Sequence, residues 1–494
     1  MTLMRIAGSF TSALLILFLL SPGCDLGTDP PPDQPDISSI IYSQHIQPIF
    51  ARTCLGSGCH NAADAEADLV LESWTSLFQG SENGAMVIPF RPDKTHLLFH
   101  VNTDSTLGPV ADPQMPPGQP LPRAEVELLT RWIGEGAKND AGEVAFSVPP
   151  NGKVYVTNQA DDEVAVIDRS TNLVMRMVSV GSLNNRTSPP EAPHNVVVDP
   201  QGEYFYVNLI VGNELWKYRV SDDSNVGRLA LGNNASPAQV AIMSNGVKAY
   251  VSNFDLGGTR RGVQVLDLQA MAIAGSISDA RIRATHGVRL THDGKWLWTA
   301  NQQSDNLAVI DTDNDSLVAI VKVDPSVPDL PTGVPQFGPY QLVFTSDDAY
   351  AYVTCRTSNE VRVFDTQTRR LVTTIPVGVN PLILDISPDD EFVYVANRGT
   401  GAAPSKTVSV IRTSDNTELL KIQDVGVEPH GVAVTPDGAW VYVACENTND
   451  PETPHHPVSG LKTPGYVAVI NAATNQVVQR IEVGAFGAGI AIIQ

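Results

Sequence analysis

Seven short segments, "KVYVTN", "YFYVNL", "KAYVSN", "WLWTAN", "YAYVTC", "FVYVAN" and "WVYVAC", recur between Lys153 and Cys445. Alternating apolar positions and aromatic, β-branched content make each a β-strand. Most follow a strand and a tight turn, as in "HNVVVDPQGE", "HGVRLTHDGK" and "HGVAVTPDGA". Most precede a third strand, as in "EVAVIDRSTN" and "EVRVFDTQTR", and a fourth that ends in Val-Gly, as in "TTIPVG" and "QRIEVG". The repeat spacing runs from the low forties to the mid fifties of residues. Four strands at that period make a propeller blade, and an isolated blade cannot bury both of its faces. The blades must therefore stack into a closed ring, and seven aromatic strands predict seven blades. The chain enters the ring at the second strand of blade one. The segment "GAFGAGIAIIQ" is expected to supply that blade's missing inner strand.

The four residues Tyr155 to Asn158, "YVTN", resemble the motif of the YVTN-repeat propeller family. The resemblance spans 146–494 and implies the fold, not an activity, because propellers host many functions. Aligning the blades places His194, Ala238, His286, Tyr340, Leu382 and His430 at equivalent points on the inner strands, with Phe486 or Gly487 in blade one. Three histidines around one channel mouth suggest a binding site for a small molecule. They fall on blades two, four and seven, so they are expected to be spread around the ring as a polar lining, too far apart to chelate one ion. Arg356 and Arg398, just after their aromatic strands, would add positive charge at the same rim. His455-His456, in the blade-seven insertion "DPETPHHPVSGLKTPG", reads as an exposed loop. Cys355 and Cys445 occupy the same place in two repeats, which predicts buried single thiols and no bridge between them.

Ahead of the repeats the sequence changes character. Arg5, the apolar run Ile6 to Leu20 and "SPGC" form a secretory signal. The run is shorter than the roughly 20 residues a membrane-spanning helix needs. Cys24 after Gly23 resembles the lipid-modified cysteine of bacterial lipoproteins. Residues 1–24 are thus expected to be a signal peptide and 25–36, "DLGTDPPPDQPD" in large part, a Pro/Asp-rich linker. That implies export to the periplasm or cell envelope, with the membrane reached by lipid anchor only. In the 494 residues, Asp plus Glu number 54 against 32 Lys plus Arg, a net charge of −22. Such a surface excludes nucleic acid as a partner, because phosphates need a basic face.

Residues 37–142 read as a small helical unit. In "ISSIIYSQHIQPIF", Ile46, Ile49 and Phe50 share one helical face. In "PRAEVELLTRWIGEGA", Val126, Leu129, Trp132 and Ile133 do the same, and Gly134 and Gly136 mark the end. Between them lies "FARTCLGSGCHNAADA". Cys54, Cys59 and His60 form a Cys-x-x-Cys-His haem-attachment motif stretched by two residues, with "LGSG" able to bulge. From spacing alone, a haem site, a Cys54–Cys59 disulfide and a zinc half-site all remain open.

The order "IQPIFARTCLGSGCHNA", "HLLFHV", "PQMPPGQPLPRAEVELLTRWIGEGA" is similar to the planctomycete-type cytochrome c domain. The resemblance implies one covalent haem c, with thioethers at Cys54 and Cys59 and His60 on the iron. The Cys-x4-Cys-His spacing is the departure from the pattern. Met115, on the "MPPG" loop, is the expected sixth ligand, with His100 and His45 as competitors. The overall fold class is multidomain: a small all-α cytochrome c domain followed by an all-β seven-bladed propeller, 146–494. The expected function is electron transfer with a redox partner protein, the propeller serving as a platform for partner or substrate. A redox enzyme with its site at the propeller mouth, akin to haem-c/haem-d nitrite reductases or to dehydrogenases, is the alternative, as is a surface-binding scaffold. Whether the chain is an enzyme stays open at this stage.

Overall fold

The computed structural model describes residues 39–147, 152–181, 190–330, 333–454, 458 and 461–493. The signal segment, Cys24, the linker and His455-His456 lie outside the described residues. Everything below belongs to the unit Ile41–Gln494.

The helical part opens on a π-type turn, Tyr42–Ile46, that runs into α1, Gln47–Thr53. Pro48 sits in the first turn of α1, where its missing N–H costs nothing. The short helices α2 (Trp74–Leu77) and α3 (His96–Val101) follow, and α2 starts on a Ser73–Ser76 capping box. The longest helix, α4, spans Arg123–Gly134. Val126, Leu129, Trp132 and Ile133 are buried on its inner face, as their spacing predicts. Tyr42 packs on Trp132 with ring centres 5.6 Å apart, which joins the first turn to the last helix. The helix runs through Gly134, and the stop is Gly136, whose φ of +106° suits glycine.

The propeller consists of seven four-stranded antiparallel sheets. In the first, Gly487–Ile492 lies beside Lys153–Asn158, followed by Glu163–Asp168 and Leu173–Ser179. Pairing of Val154 with Ile492 and Tyr155 with Ala491 closes the ring. The repeated aromatics explain the stacking: Tyr155, Tyr206, Tyr250, Trp298, Tyr352, Tyr394 and Tyr442 are all buried between blades. Each withdraws enough apolar surface to contribute about 1.5–3 kcal/mol, so the repeat period is also the period of the stabilisation. Tyr155 of blade one, for example, stacks on Phe205 of blade two at 4.3 Å.

The inner strands approach closely where the sequence has glycine. A side chain on Gly431 would press into the Ala488 carbonyl oxygen, and one on Gly489 into that of His194. Cys355 and Cys445 are buried and in no disulfide, at the ends of their aromatic strands, and burial pushes both thiols up.

The helical part is joined to blade one through the 3-10 turn Pro92–Lys94. Arg91 bridges Asp93 and Glu163, and also donates to Met177 O at 3.0 Å. Lys94 Nζ lies 3.0 Å from Glu163 and 3.1 Å from Asp161. Burial would raise the Asp161 carboxyl, but Lys94 outweighs it and holds the group below its usual range.

Candidate functional site

The first site is built by the loop after α1. His60 N–H donates to Cys54 O at 3.0 Å, which ties the two ends of the stretched motif together. Inside it, Cys59 N–H turns back to Gly56 O at 3.2 Å, and Gly58 takes a φ of +74°. Asp64 accepts from Gly58 N–H at 2.8 Å and from the Asn61 amide at 2.8 Å. These two bonds hold its carboxyl below the usual range. The two extra residues of spacing are thus taken up as a hydrogen-bonded bulge. Neither Cys54 nor Cys59 is in a disulfide. Cys54 is buried, and burial raises its thiol despite a contact to Thr53. Cys59 is half-buried.

The His60 ring meets Glu66 O through Nδ1 at 3.1 Å. With Nδ1–H donating to that carbonyl, the lone pair is on Nε2, the tautomer that suits a metal ligand. Across an apolar cavity of about 210 Å³, Cys54 and His60 share the walls with Phe50, Met86, His100 and Met115. His100, buried on α3, contacts Pro113 O through Nδ1 at 2.9 Å, and its own carbonyl accepts Met115 N–H at 2.8 Å. It therefore braces the loop that carries Met115. His45 stays outside this pocket and accepts the Ile41 N–H at 2.8 Å, a helix-start role. One thiol, an oriented imidazole and a thioether line the hollow, and the second thiol, Cys59, stands beside His60 on the adjoining bulge; together they are the donor set a haem c needs. The residues fit that group.

The second site lies at the propeller centre, and here one expectation is overturned. His194, His286 and His430 are not spread around a rim. The His194 and His286 Nε2 atoms are 2.9 Å apart. Ring centres are 5.2 Å apart for His194 and His286, and 5.4 Å for His194 and His430. The reason is side-chain size. Blades three and one, which separate these histidines, carry only Ala238 and Ala488 at the equivalent point, so the imidazoles meet across the gaps. The blade-one equivalent is Ala488, one residue beyond the expected Phe486 or Gly487.

The residue that follows each aromatic repeat segment forms a second tier, Arg398 within a strand that runs on to Thr400. Arg356 and Arg398 are there, as expected, and so are Gln159, Phe254 and Glu446. Glu446 was missed, although the same blade alignment that gives Arg398 points to it. It accepts from His430 Nδ1 at 2.8 Å and binds the Arg398 guanidinium, which also reaches Glu428 at 3.2 Å. Burial would raise Glu446, but His430 and Arg398 hold it below its ordinary value. His286 stacks on Tyr340 with ring centres 3.5 Å apart, and Arg356 lies 4.8 Å over the same tyrosine. Burial, then the nearby His430, lowers His194 to about 3. His286 is lowered as well, by burial and then its histidine neighbours. The channel continues as a cavity of about 630 Å³ that reaches from His194 and His430 to Arg289 and Asp385.

Comparison with known proteins places both parts. Residues 56–119 match the family model "Planctomycete cytochrome C", and 285–453 match "Lactonase, 7-bladed beta-propeller". The first match begins between the two cysteines and takes in Cys59, His60 and Met115. No curated protein matches the chain. Among solved structures, Kuenenia stuttgartiensis Hydrazine Synthase is similar at 15% identity, over 64% of this chain and 99% of that one, with a TM-score of 0.49. A likeness of that degree carries nothing about chemistry. The chain carries a planctomycete-type cytochrome c domain and a seven-bladed propeller.

Proposed function

We propose that this chain is an exported c-type cytochrome whose propeller serves as the platform for a redox partner or a small substrate. The observation that supports it is the single apolar pocket into which Cys54, His60 and Met115 all open. Haem c, when bound, supplies a one-electron iron couple. Cys54 and Cys59 would tether it through thioethers, and His60 would ligate the iron from Nε2, its ring fixed by Glu66 O. Met115 would complete the ligand set, a thioether setting a higher potential than a second imidazole does. His100 positions that loop through its bonds to Pro113 and Met115. Export through the signal segment and lipid attachment at Cys24 belong to the same reading, and an acidic surface directs it toward a partner of opposite charge.

The test is expression with a c-type maturation system, followed by a haem stain on a denaturing gel and a reduced absorption spectrum. One covalent haem per chain is expected, and its absence would sink the reading. Met115→Ala should shift the potential or the spectrum, and an unchanged pair of values would move the sixth ligand elsewhere. A second reading, a redox enzyme acting at the propeller centre, is favoured by the gathering of three imidazoles and two guanidiniums there.

A further inference from the structure

Two of the three central histidines, His286 and His430, are oriented as metal ligands are, and His194 lies between them. Each has its Nδ1 engaged by a neighbour: His286 with Tyr340 O at 3.2 Å, His430 with Glu446 Oε1 at 2.8 Å, and His194 with the Gln159 amide at 2.9 Å. A ring nitrogen held by a carbonyl or carboxylate fixes the tautomer and leaves Nε2 as the lone-pair atom. A carboxylate behind a histidine also raises its strength as a ligand. All three rings are buried, at 7%, 0% and 5% exposure, on strands that the ring closure holds rigid.

As the side chains stand, His194 Nε2–H donates to His286 Nε2, Gln159 donates to His194 Nδ1, and no described group of three forms a ready cage. Little has to change for an ion to enter. The two Nε2 atoms part from 2.9 Å to about 3.3 Å, the separation of two imidazole nitrogens on a tetrahedral ion with bonds near 2.0–2.1 Å. The rings of His286 and His430 each stand near that of His194, with centres 5.2 and 5.4 Å apart, close to the roughly 5 Å that such geometry requires, and His286 and His430 would have to close to a like separation. The Gln159 amide turns over so that its oxygen accepts His194 Nδ1–H.

The ligand set and the surrounding charge select the ion. Three imidazoles without a thiolate suit copper or zinc. Glu428 and Glu446 are balanced by Arg398 and Arg356, so no net negative charge awaits a dication. A monovalent ion meets the smaller desolvation and repulsion penalty. We propose that His194, His286 and His430 bind one monovalent copper ion through their Nε2 atoms at the centre of the propeller. The site is separate from the haem pocket and stands or falls independently of it.

The test uses the full, haem-loaded chain, stripped with a chelator and titrated without oxygen with Cu(I) alone and, in parallel, Zn(II) alone. Metal content after gel filtration and X-ray absorption at the copper edge are the readouts. One Cu(I) per chain with nitrogen ligands is expected, and affinity should fall at least tenfold in His194→Ala and His286→Ala. Because His286 is fully buried, His286→Gln and His430→Gln are measured beside them, with circular dichroism as the check on folding. His292→Ala, outside the channel, should bind as the parent does. Equal copper in the parent and the folded channel variants would overturn the proposal, as would tight Zn(II) with no Cu(I).

Discussion

The two donor sets of this molecule are built in opposite ways. In the helical part, Cys54, Cys59, His60 and Met115 sit on loops between short helices, and most are only half-buried. In the propeller, His194, His286 and His430 sit on inner strands, nearly sealed from solvent, and come from blades that are not neighbours. Loops that wrap an apolar hollow can adjust to a large flat group held by covalent bonds. Strands locked into a closed ring hold their side chains at fixed points, beside a channel of about 630 Å³. Proximity along the chain marks the first site, whereas the repeat period marks the second.

The sharpest break in that comparison is chemical. Replacing Cys54 and Cys59 together with Ser should abolish covalent haem entirely, read by haem stain and intact mass, while circular dichroism still reports a folded propeller. Loss of the propeller signal as well would show that the two parts depend on each other more than their separate construction suggests. Arg91→Ala probes their junction. Glu163 is buried and would keep only Lys94, so unfolding should become easier by about 3 kcal/mol in a denaturant titration. Gly431→Ala drives a methyl into the Ala488 carbonyl where inner strands meet, and should cost about 1–3 kcal/mol without changing the haem spectrum.

The smallest expected effect is in pH. Burial depresses His194 and His286 below their unfolded value, so the unfolded chain binds more protons as acidity rises. Their contribution to stability is complete above about pH 6.5 and drains away below it, by about 1 kcal/mol per imidazole between pH 6.5 and 5.5. Thermal melting of the metal-free protein should fall across that interval, and His286→Gln should flatten the slope. Carboxylates titrate lower, so an equal slope in the variant would remove the buried histidines as its cause.

What was legible in the sequence followed the same divide. The blade count, the closing strand and the inner face of α4 were all written in periodic apolar residues, because packing imposes the period directly. Resemblance singled out Cys54, Cys59, His60 and Met115 as haem residues, and the structure adds the Asp64-braced bulge that takes up the stretched spacing. Convergence of the three histidines was not legible. Their positions on the ring were read correctly, but the distance between them depends on Ala238 and Ala488 yielding space, a property of the residues in between. Glu446 escaped because a carboxylate in an acidic chain reads as surface charge until His430 and Arg398 are seen to close on it.

The strand Gly487–Ile492 closes blade one by pairing with Lys153–Asn158. It also supplies Ala488 and Gly489, the small residues that let His194 and His430 approach one another. Such a pairing, between segments so remote along the chain, carries the steepest loop-closure cost of any contact in the ring and is therefore among the slowest to form. The wall of the central cluster is consequently set when the ring shuts, and a nascent or nicked ring would expose three uncoupled imidazoles.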